Sequence, residues 1–511
     1  MIDVLLINPG NYNKVYQELS SKYTAIEPPT WSLLLAKSCQ SQGLVPKILD
    51  CNAENLSNDE ILKKVEEANP RLICFVVYGQ NVNAGTTSME GAINISNFLK
   101  KHSNRLISYV GSHVQALPLE TLKNEKSIDF VFTNEGVYTL WNILKLSNIS
   151  IENLEDIKGI AYRNLNNKLI FNKPEIVVPN DKMDQHLPGY AWELLPFKKK
   201  PFDLYRSPMW HAEYLEENRT PYAAIQTSIG CQFKCSFCMI NIINRNDNKE
   251  VGVANTYSNM RYWSPNFIIK EFDKLISYGV KTIKITDEMF LLNPKYYKPL
   301  CEMLAERNKD DKLMMWAYSR VDTVKRQEIL NLVRKAGIKW LALGIESGDK
   351  NVRLEVSKGK FEDVDVNKVI EQVHNADIQV MGNYIFGLPG DTKETMQKTL
   401  DLSIQLNTMG WNGYAATALP GSELYKIALD KGVKLPGTYA AYSFHSYNAL
   451  PLSNENLTAA EILRFRDEAF LAYHTNKNFL NKALKKFGKK SIDNIKIMTS
   501  IKLKREILEK N

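Results

Sequence analysis

The chain has 511 residues, of which 44% are hydrophobic and 24% are charged. This length exceeds a single ordinary core, so we expect two or three domains of a globular enzyme. No run of about 18 apolar residues could span a bilayer, and the N-terminus lacks the pattern of a signal peptide, so we expect no membrane partner. The seven cysteines then indicate reduced thiols in the cytoplasm.

The formal net charge of +8 is concentrated at the C-terminal end of the chain. Residues 477–511 contain 11 Lys+Arg and 3 Asp+Glu, a difference that equals the whole net charge. Basic residues in such a tail typically lie on solvated helix faces. The alternative is that the tail binds an anionic substrate. We do not expect nucleic acid as a partner.

Residues 1–146 alternate short β-branched runs with amphipathic segments. The predicted strands are residues 2–8, 45–50, 71–77, 105–110 and 129–132. The predicted helices lie near residues 31–41, 58–68, 88–101, 117–124 and 137–145. Strict alternation predicts an α/β fold with a parallel, doubly wound sheet of the flavodoxin-like type.

Glycines in the loops that follow these strands mark a candidate binding edge. Ligands of doubly wound sheets bind at the carboxyl ends of the strands. Gly79, Gly111 and Gly136 follow the third, fourth and fifth strands and would let the backbone approach a bulky ligand closely. Residues 147–220 are predicted to form a connector, with a small hairpin over residues 159–171.

The β/α alternation resumes over residues 221–425. The predicted strands are residues 222–228, 281–286, 312–318, 339–345, 378–386 and 410–417. The predicted helices are residues 265–278, 294–308, 323–336, 363–376 and 392–406, three of them with starts at Asn293, Asp322 and Asp391-Thr392. Six such units predict a partial (β/α)6 TIM-type barrel, followed by a helical, basic segment over residues 426–511 with an amphipathic helix at 457–475.

Three cysteines directly after the first barrel strand carry the strongest chemical signal. Cys231, Cys235 and Cys238 have C-x3-C-x2-C spacing, and such cysteines hold iron–sulfur clusters. Three thiolates on a 4Fe–4S cluster leave one iron open for chemistry. Zinc is the alternative, but a structural zinc site needs four ligands. The other cysteines are scattered singly and are interpreted as core residues, namely Cys39, Cys51, Cys74 and Cys301.

This cysteine motif, with Phe237 before its last cysteine, resembles the signature of the radical S-adenosylmethionine (radical SAM) superfamily. The resemblance implies that SAM chelates the open iron through its amino and carboxylate groups. The cluster would then donate one electron and cleave SAM to methionine and a 5′-deoxyadenosyl radical, which abstracts hydrogen from an unreactive carbon. Phe237 would pack near the adenine, with plain core packing as the alternative.

Polar residues at the carboxyl ends of barrel strands are candidates for cofactor contacts. This rule selects Asp287 and Glu288, which end the second strand. The phrases around Ser319-Arg320 and Glu346-Ser347 also resemble the family, which implies that these four residues lie near the SAM carboxylate or ribose. As alternatives, Glu346 could pair with Arg320, and Asp287 could cap the following helix.

The N-terminal region resembles the cobalamin-binding domain that precedes the catalytic domain in one radical SAM subfamily. The resemblance rests on Glu27-Pro-Pro-Thr-Trp, on Gly111-Ser-His113 and on the stretch from Asp129 to Gly136. The Asp-x-His-x-x-Gly motif that supplies an axial histidine in other cobalamin proteins is absent after the first strand. His113 is therefore expected to line the pocket, and a domain that has lost its cofactor is the alternative.

The resemblance implies an enzyme that uses a 4Fe–4S cluster, SAM and cobalamin. Methylation of an unactivated carbon or phosphorus centre is the activity expected first, with SAM consumed both to remethylate cobalamin and to make the radical. One alternative is a dehydratase, rearrangement or cyclisation enzyme with a vestigial cobalamin domain, and another is a non-catalytic redox sensor. The expected partners are a small-molecule or peptide substrate and an electron donor such as flavodoxin or ferredoxin.

Overall fold

The computed structural model describes residues 1–10, 13–20, 23–207, 219–324, 326–357 and 364–509. Residues 208–218 of the predicted connector lie outside the described residues, as does Asp363, with which the fourth predicted barrel helix begins. Within these ranges no helix combines the length and the apolar character needed to cross a bilayer.

The first sheet contains seven strands that follow the predicted runs closely. They are β1 Val4–Asn8, β2 Pro46–Asp50, β3 Leu72–Val76, β4 Ile107–Val110, β5 Phe130–Phe132, β6 Ile160–Arg163 and β7 Leu169–Phe171. Their order in the sheet is β2-β1-β3-β4-β5-β6-β7. The first five strands pair in parallel, and this order is that of flavodoxin-like folds. The predicted doubly wound sheet is confirmed.

Helices cover both faces of this sheet. They are α1 Asn13–Tyr16, α2 Thr30–Ser41, α3 Cys51–Glu54, α4 Asn58–Ala68, α5 Gly85–His102, α6 Ser112–Ala116, α7 Pro118–Asn124 and α8 Val137–Leu144. Alternate residues of β1 point into two different cores. Leu5 and Ile7 pack under α4 and α5, whereas Val4 and Leu6 belong to a core that continues into the second sheet.

The predicted hairpin extends the first sheet and is not a free connector. β6 pairs antiparallel with β5, and β7 pairs antiparallel with β6. The sheet therefore continues beyond residue 146, because the edge of β5 offers unpaired backbone groups to the hairpin. The rest of the predicted connector, residues 172–220, contains one short α-helix among its described residues, α9 Met183–His186.

The second sheet has six parallel strands in sequential order. They are β8 Tyr222–Ile225, β11 Thr282–Ile285, β12 Met314–Arg320, β13 Ile338–Glu346, β14 Gln379–Phe386 and β15 Gly410–Ala415, and between β8 and β11 lie β9 Ser228–Cys231 and β10 Asn259–Tyr262. Each strand of the six pairs with the next along the chain, in the order β15-β14-β13-β12-β11-β8. This arrangement confirms the predicted partial barrel.

β9 and β10 form a separate antiparallel pair that the sequence did not predict. The run from 222 to 228 was expected to be one strand, but β8 ends at Ile225 and Ser228 begins β9. The break turns the chain out of the barrel wall just before the cysteine motif.

The helices between and after the barrel strands are α10 Pro265–Ser277, α11 Pro294–Arg307, α12 Gln327–Lys335, α13 Lys350–Val356, α14 Val366–Asn375, α15 Lys393–Leu406 and α16 Glu423–Asp430. Asn293 caps α11, and Thr392 forms a capping box with Thr395 at α15, as predicted. The start predicted at Asp322 is wrong: α12 begins at Gln327, because the Asp322 carboxylate pairs with Arg320 and is not free to cap a helix.

The C-terminal segment is helical, as predicted, with α17 Ala459–His474, α18 Lys477–Phe487, α19 Lys489–Ser500 and α20 Glu506–Glu509. Thr458 and Glu461 form a capping box at the start of α17. From α17, Tyr473 stacks on Trp411 of β15, so this helix covers the edge strand of the half-barrel.

Candidate active site

The cysteine motif forms a partly buried loop at the carboxyl end of the half-barrel. Cys231 is the last residue of β9 and is buried, whereas Cys235 and Cys238 are half-buried. Burial raises the pKa of Cys231 to about 12 and that of Cys235 to about 11, so both stay thiols without a cation. Ligation to iron reverses this preference, because a coordinating thiol is deprotonated.

Backbone contacts hold this loop in a form that suits a cluster. The Cys231 N–H donates to Asn241 Oδ1 at 2.9 Å, and the Phe233 N–H donates to Cys231 Sγ at 3.4 Å. The Ser236 N–H donates to the carbonyl of Val356 at 2.9 Å. Hydrogen bonds to ligand sulfurs and an ordered loop are what iron–sulfur sites need. Among the described residues no three His, Cys, Asp or Glu side chains converge on a single metal ion, so the spacing of the cysteines and these hydrogen bonds are what support the predicted cluster.

Gly230 allows the close pairing of β9 with β10 beside the first cysteine. Its φ is +87°, and a Cβ atom there would lie 2.2 Å from the carbonyl oxygen of Asn259. A larger residue would therefore push β9 away from β10 and displace Cys231.

Arg320 lies directly against the cysteine loop. Its Nε and Nη2 each donate to one carboxylate oxygen of Asp322 at 2.6 Å, and its Cζ lies 3.7 Å from the ring centroid of Phe233. Its Nη1 is 4.0 Å from Cys235 Sγ. The ion-pair partner of Arg320 is thus Asp322, where the sequence suggested Glu346.

Asp287 and Glu288 follow β11 but face different neighbours. The Asp287 carboxylate is 1% exposed and accepts hydrogen bonds from Thr227 N, Thr227 Oγ1 and Ser228 Oγ at 2.6–2.7 Å. Asp287 therefore ties the turn that leads into β9, and it does not cap the following helix.

The sequence selects Glu288 together with Asp287 at the end of the second strand but assigns it no cofactor contact. It is half-buried, and burial raises its pKa to about 7. Cys231 and Cys238 are among its electrostatic neighbours, and no described side chain hydrogen-bonds to it. Its carboxylate is thus available to a cationic group placed beside the cysteines.

Glu346 ends β13 in a strained conformation. Its φ is +65°, the left-handed region that glutamate rarely adopts, and the pairing with β14 is irregular at this point. Burial raises its pKa to about 7, against the opposing effect of Arg320. Within the described ranges its carboxylate has no hydrogen-bond partner, and Cys235 and Tyr414 are electrostatic neighbours.

The remaining residues predicted near SAM are held by protein partners. Ser319 Oγ lies 2.8 Å from Thr323 Oγ1, and Ser347, which is fully buried, lies 3.1 Å from Thr399 Oγ1. Phe237 packs against an apolar cluster at the ends of β14 and β15, which consists of Val352, Val356, Ile385, Leu388 and Ala416. This cluster forms an apolar wall at Phe237, next to Cys238.

A cleft opens at the carboxyl ends of β1, β2 and β3. It is lined by Asn8, Tyr16, Thr24, Ala25, Glu27, Pro29, Asn52, Gly79, Gln80, Ala84, Thr87 and Ser88. Gly79 has a φ of +66°, and a Cβ atom there would lie 2.8 Å from Ser88 Oγ. The position, at the edge where doubly wound sheets bind ligands, and the mixed polar lining fit part of a large cofactor such as cobalamin.

The other residues predicted around cobalamin support this edge but do not line the cleft. His113 is buried, lies 3.2 Å from Thr86 Oγ1 and packs edge-to-face on Tyr439 at 5.1 Å. Burial lowers its pKa to about 4, so the ring is neutral. A Cβ atom at Gly111 would lie 2.3 Å from the Val77 carbonyl oxygen, and Gly136 precedes α8 with a φ of +86°.

The wall of the cleft touches the half-barrel directly. Glu27 in the cleft wall lies 2.7 Å from Lys284 Nζ on β11. A second buried pair joins Glu135, after β5, to Arg261 of β10 at 2.6 Å. Both pairs are almost fully excluded from solvent, so the cleft and the cysteine loop lie at one shared interface.

Tyr414 on β15 brings a further barrel strand to the site. It is 38% exposed, and Tyr318, Lys284 and Glu346 are its electrostatic neighbours. Side chains from four different strands therefore lie close together at this part of the half-barrel.

Two family models match the chain and together span more than half of it. The radical SAM superfamily model matches residues 225–403, and the B12 binding domain model matches residues 19–144. The first match contains the three cysteines, and the second contains the residues from Thr24 to Ser88 that line the cleft.

Curated relatives and solved structures cover most of the chain. An uncharacterised methyltransferase of Pyrococcus horikoshii is 24% identical over 89% of this chain and 89% of its own length. An anaerobic magnesium-protoporphyrin IX monomethyl ester cyclase of Cereibacter sphaeroides is 22% identical over 90% of this chain and 68% of its own.

The radical SAM methyltransferase TsrM of Kitasatospora setae, solved with tryptophan and a SAM analogue, shares the fold. It has a TM-score of 0.63 at 15% identity and covers 93% of this chain and 89% of its own. A second structure of TsrM contains cobalamin and a [4Fe–4S] cluster. The chain therefore contains a radical SAM domain, which includes the cysteine loop, and a B12-binding domain, which includes most of the cleft at the edge of the flavodoxin-like sheet.

Proposed function

We propose that the chain is a cobalamin-dependent radical SAM methyltransferase that acts on an unactivated carbon or phosphorus centre of a small molecule. The observation that carries the proposal is the shared interface: the wall of the cleft in the B12-binding domain is joined to the half-barrel that holds the cysteine loop through Glu27 and Lys284. A methyl carrier in the cleft and a substrate beside the cysteine loop would therefore face the same interface. The methyltransferases among the relatives support this proposal.

When bound, the cluster supplies the electron for SAM cleavage and cobalamin supplies a methyl carrier. The residues of the chain bind and orient. Cys231, Cys235 and Cys238 ligate the cluster, and Glu288 is placed to accept hydrogen bonds from the amino group of SAM.

The other contacts to SAM follow from the groups that the structure leaves available. Glu346 is placed to accept from hydroxyl groups, and Phe237 with its apolar wall offers a surface for the adenine. Arg320 stacks on Phe233 and orders the loop, and its charge also favours a carboxylate nearby. Asp287 and Ser347 position the backbone through buried hydrogen bonds.

A cyclisation or rearrangement enzyme is the second candidate. It is favoured by the similarity to the magnesium-protoporphyrin ester cyclases, which extends over 90% of this chain. Such an enzyme would cleave SAM to 5′-deoxyadenosine without transferring a methyl group. The two candidates therefore differ in whether S-adenosylhomocysteine is formed.

We also expect a reducing cytoplasm and an external electron donor such as flavodoxin or ferredoxin. All seven cysteines are free thiols, which supports the first expectation. Reduction by purified flavodoxin in place of dithionite would test the second.

The deciding experiment needs no substrate. The protein is purified anaerobically, reconstituted with iron, sulfide and hydroxocobalamin, and desalted, and its bound iron and cobalt are measured. It is then incubated with SAM and dithionite, and 5′-deoxyadenosine and S-adenosylhomocysteine are quantified by mass spectrometry. Bound cobalt with both products supports the methyltransferase. Deoxyadenosine without cobalt or S-adenosylhomocysteine contradicts it and favours the second candidate.

A further inference from the structure

Asn83 of the B12-binding domain reaches the cysteine loop of the half-barrel. It lies in the short turn Val82–Ala84, between β3 and α5. Its Oδ1 accepts a hydrogen bond from the Met239 N–H at 3.0 Å, and its Nδ2 lies 3.8 Å from Cys238 Sγ. One side chain thus contacts both the third cysteine and the residue after it.

The orientation of the Asn83 amide follows from these contacts. The backbone N–H of Met239 can only donate, so the atom that faces it must be the amide oxygen. The amide nitrogen and the amide oxygen both lie 3.8 Å from Cys238 Sγ, so in the thiol form either Sγ–H donates to Oδ1 or Nδ2–H donates to Sγ. A thiolate bound to iron has no proton to donate, so the remaining hydrogen bond runs from Nδ2–H to sulfur.

The turn that carries Asn83 is held from several sides. Ser112 Oγ donates to the Val82 carbonyl at 2.6 Å, and Ser88 Oγ donates to the Ala84 carbonyl at 3.1 Å. Gly85 follows the turn, and a Cβ atom there would lie 1.9 Å from Ser112 Oγ. Ser112 belongs to the Gly111-Ser-His113 phrase, which therefore serves to fix this turn.

The same segment borders the cofactor cleft. Gly79, Gln80 and Ala84 line the cleft on one side of the turn, and Asn83 faces the cysteines on the other. Asn83 is therefore the point at which the cleft wall meets a cluster ligand.

We propose that Asn83 is a positioning residue through which the B12-binding domain sets the reduction potential of the cluster. An N–H donor to a ligating sulfur stabilises the reduced cluster more than the oxidised one, because the reduced cluster carries one more negative charge. Asn83 therefore raises the reduction potential and makes the cluster easier to reduce. This role goes beyond the proposed transfer reaction and holds for either candidate function.

The test compares two variants and a neighbouring control. Asn83→Ala removes the donor and the acceptor. Asn83→Asp keeps an oxygen for the Met239 N–H and replaces the donor by an anionic oxygen. Asn81 is exposed in the same loop, so Asn81→Ala is the matched control. The readout is the midpoint potential of the reconstituted, cobalamin-free protein without SAM, followed by electron paramagnetic resonance.

We expect a lower midpoint potential in Asn83→Ala, a still lower one in Asn83→Asp, and no shift in Asn81→Ala. Unchanged potentials in both Asn83 variants, with intact cluster spectra, would overturn the proposal. Loss of the cluster in both variants would assign Asn83 to loop assembly alone and would also overturn a role in tuning. If only Asn83→Ala loses iron, the midpoint potential of Asn83→Asp decides the test, because this variant keeps the contact to Met239. A lower potential then supports the proposal, and an unchanged potential overturns it.

Discussion

Glu27 and Lys284 form a buried ion pair between the part of the chain that matches the B12-binding domain and the part that matches the radical SAM domain. Their side chains are 5% and 9% exposed, and Tyr222 OH donates to the same carboxylate oxygen at 3.1 Å. Burial alone would lower the pKa of Lys284, but Glu27 raises it above its usual value. Each charge is thus compensated mainly by the other.

Removing one charge of this pair should lower the stability of the folded protein. In Lys284→Met the Glu27 carboxylate stays buried without its partner, and the free energy of unfolding should fall by about 3–5 kcal/mol. Urea denaturation of the protein, followed by circular dichroism, measures this loss.

The double variant Glu27→Gln/Lys284→Met should recover part of that loss, because no unpaired charge remains. The matched control is Lys14→Met, which breaks the exposed pair with Glu90 and should cost less than about 1 kcal/mol. Equal losses in Lys284→Met and Lys14→Met would contradict a stabilising buried pair.

The cysteine loop should be needed for iron and for SAM cleavage. Cys235→Ala should lose the cluster or its open-iron chemistry and form no 5′-deoxyadenosine, because each thiolate of the motif holds a different iron. Cys301 is a buried cysteine of α11, so Cys301→Ala should keep its iron and its activity. Iron content and the amount of 5′-deoxyadenosine are measured in the same samples. Formation of 5′-deoxyadenosine by Cys235→Ala would contradict the cluster assignment.

Gly230→Ala should disturb the cluster site more than a glycine-to-alanine change elsewhere. Both Gly230 and Gly432 have positive φ, but only at Gly230 would the new Cβ meet backbone, whereas nothing lies within 4 Å at Gly432. Each variant bears the left-handed strain of about 1–2 kcal/mol. Only Gly230→Ala should also bind less iron after reconstitution. Equal iron binding by Gly230→Ala and Gly432→Ala would contradict a role for Gly230 in positioning the cluster site.

His113 should make the stability depend on pH below neutrality. Its pKa is lowered by burial to about 4 in the folded protein, below the usual value of about 6.5. Between these values the unfolded chain binds a proton that the folded chain does not, so stability falls as the pH falls from about 6.5 towards 4.

The effect of His113 is isolated by comparison with His113→Gln, which can still bond to Thr86. Between pH 7.5 and pH 5 the wild type should lose about 2 kcal/mol more of its free energy of unfolding than the variant. The other histidines contribute equally to both proteins. Parallel pH profiles from urea denaturation would show that His113 is protonated in the folded state.

Much of the fold could be predicted because its signals are local. Helix α4 lies where its periodicity placed it, and Ser57 and Glu60 form the capping box at its start. The predicted helix start at Asp322 is wrong because the role of this residue depends on a tertiary contact. A carboxylate that can cap a helix can also pair with an arginine, and only the packing of Arg320 on the cysteine loop decides between them.

The sequence by itself determined the alternation of strands and helices, the spacing of the three cysteines and the two domain types, because periodicity and close spacing are properties of neighbouring residues. The tertiary structure alone decided that Asp287 ties a turn while Glu288 faces the cysteines, and that Glu346 is held with a positive φ. It also brought Asn83 to Cys238, 155 residues away. Such contacts depend on how two separate sheets pack, and no local pattern records that packing.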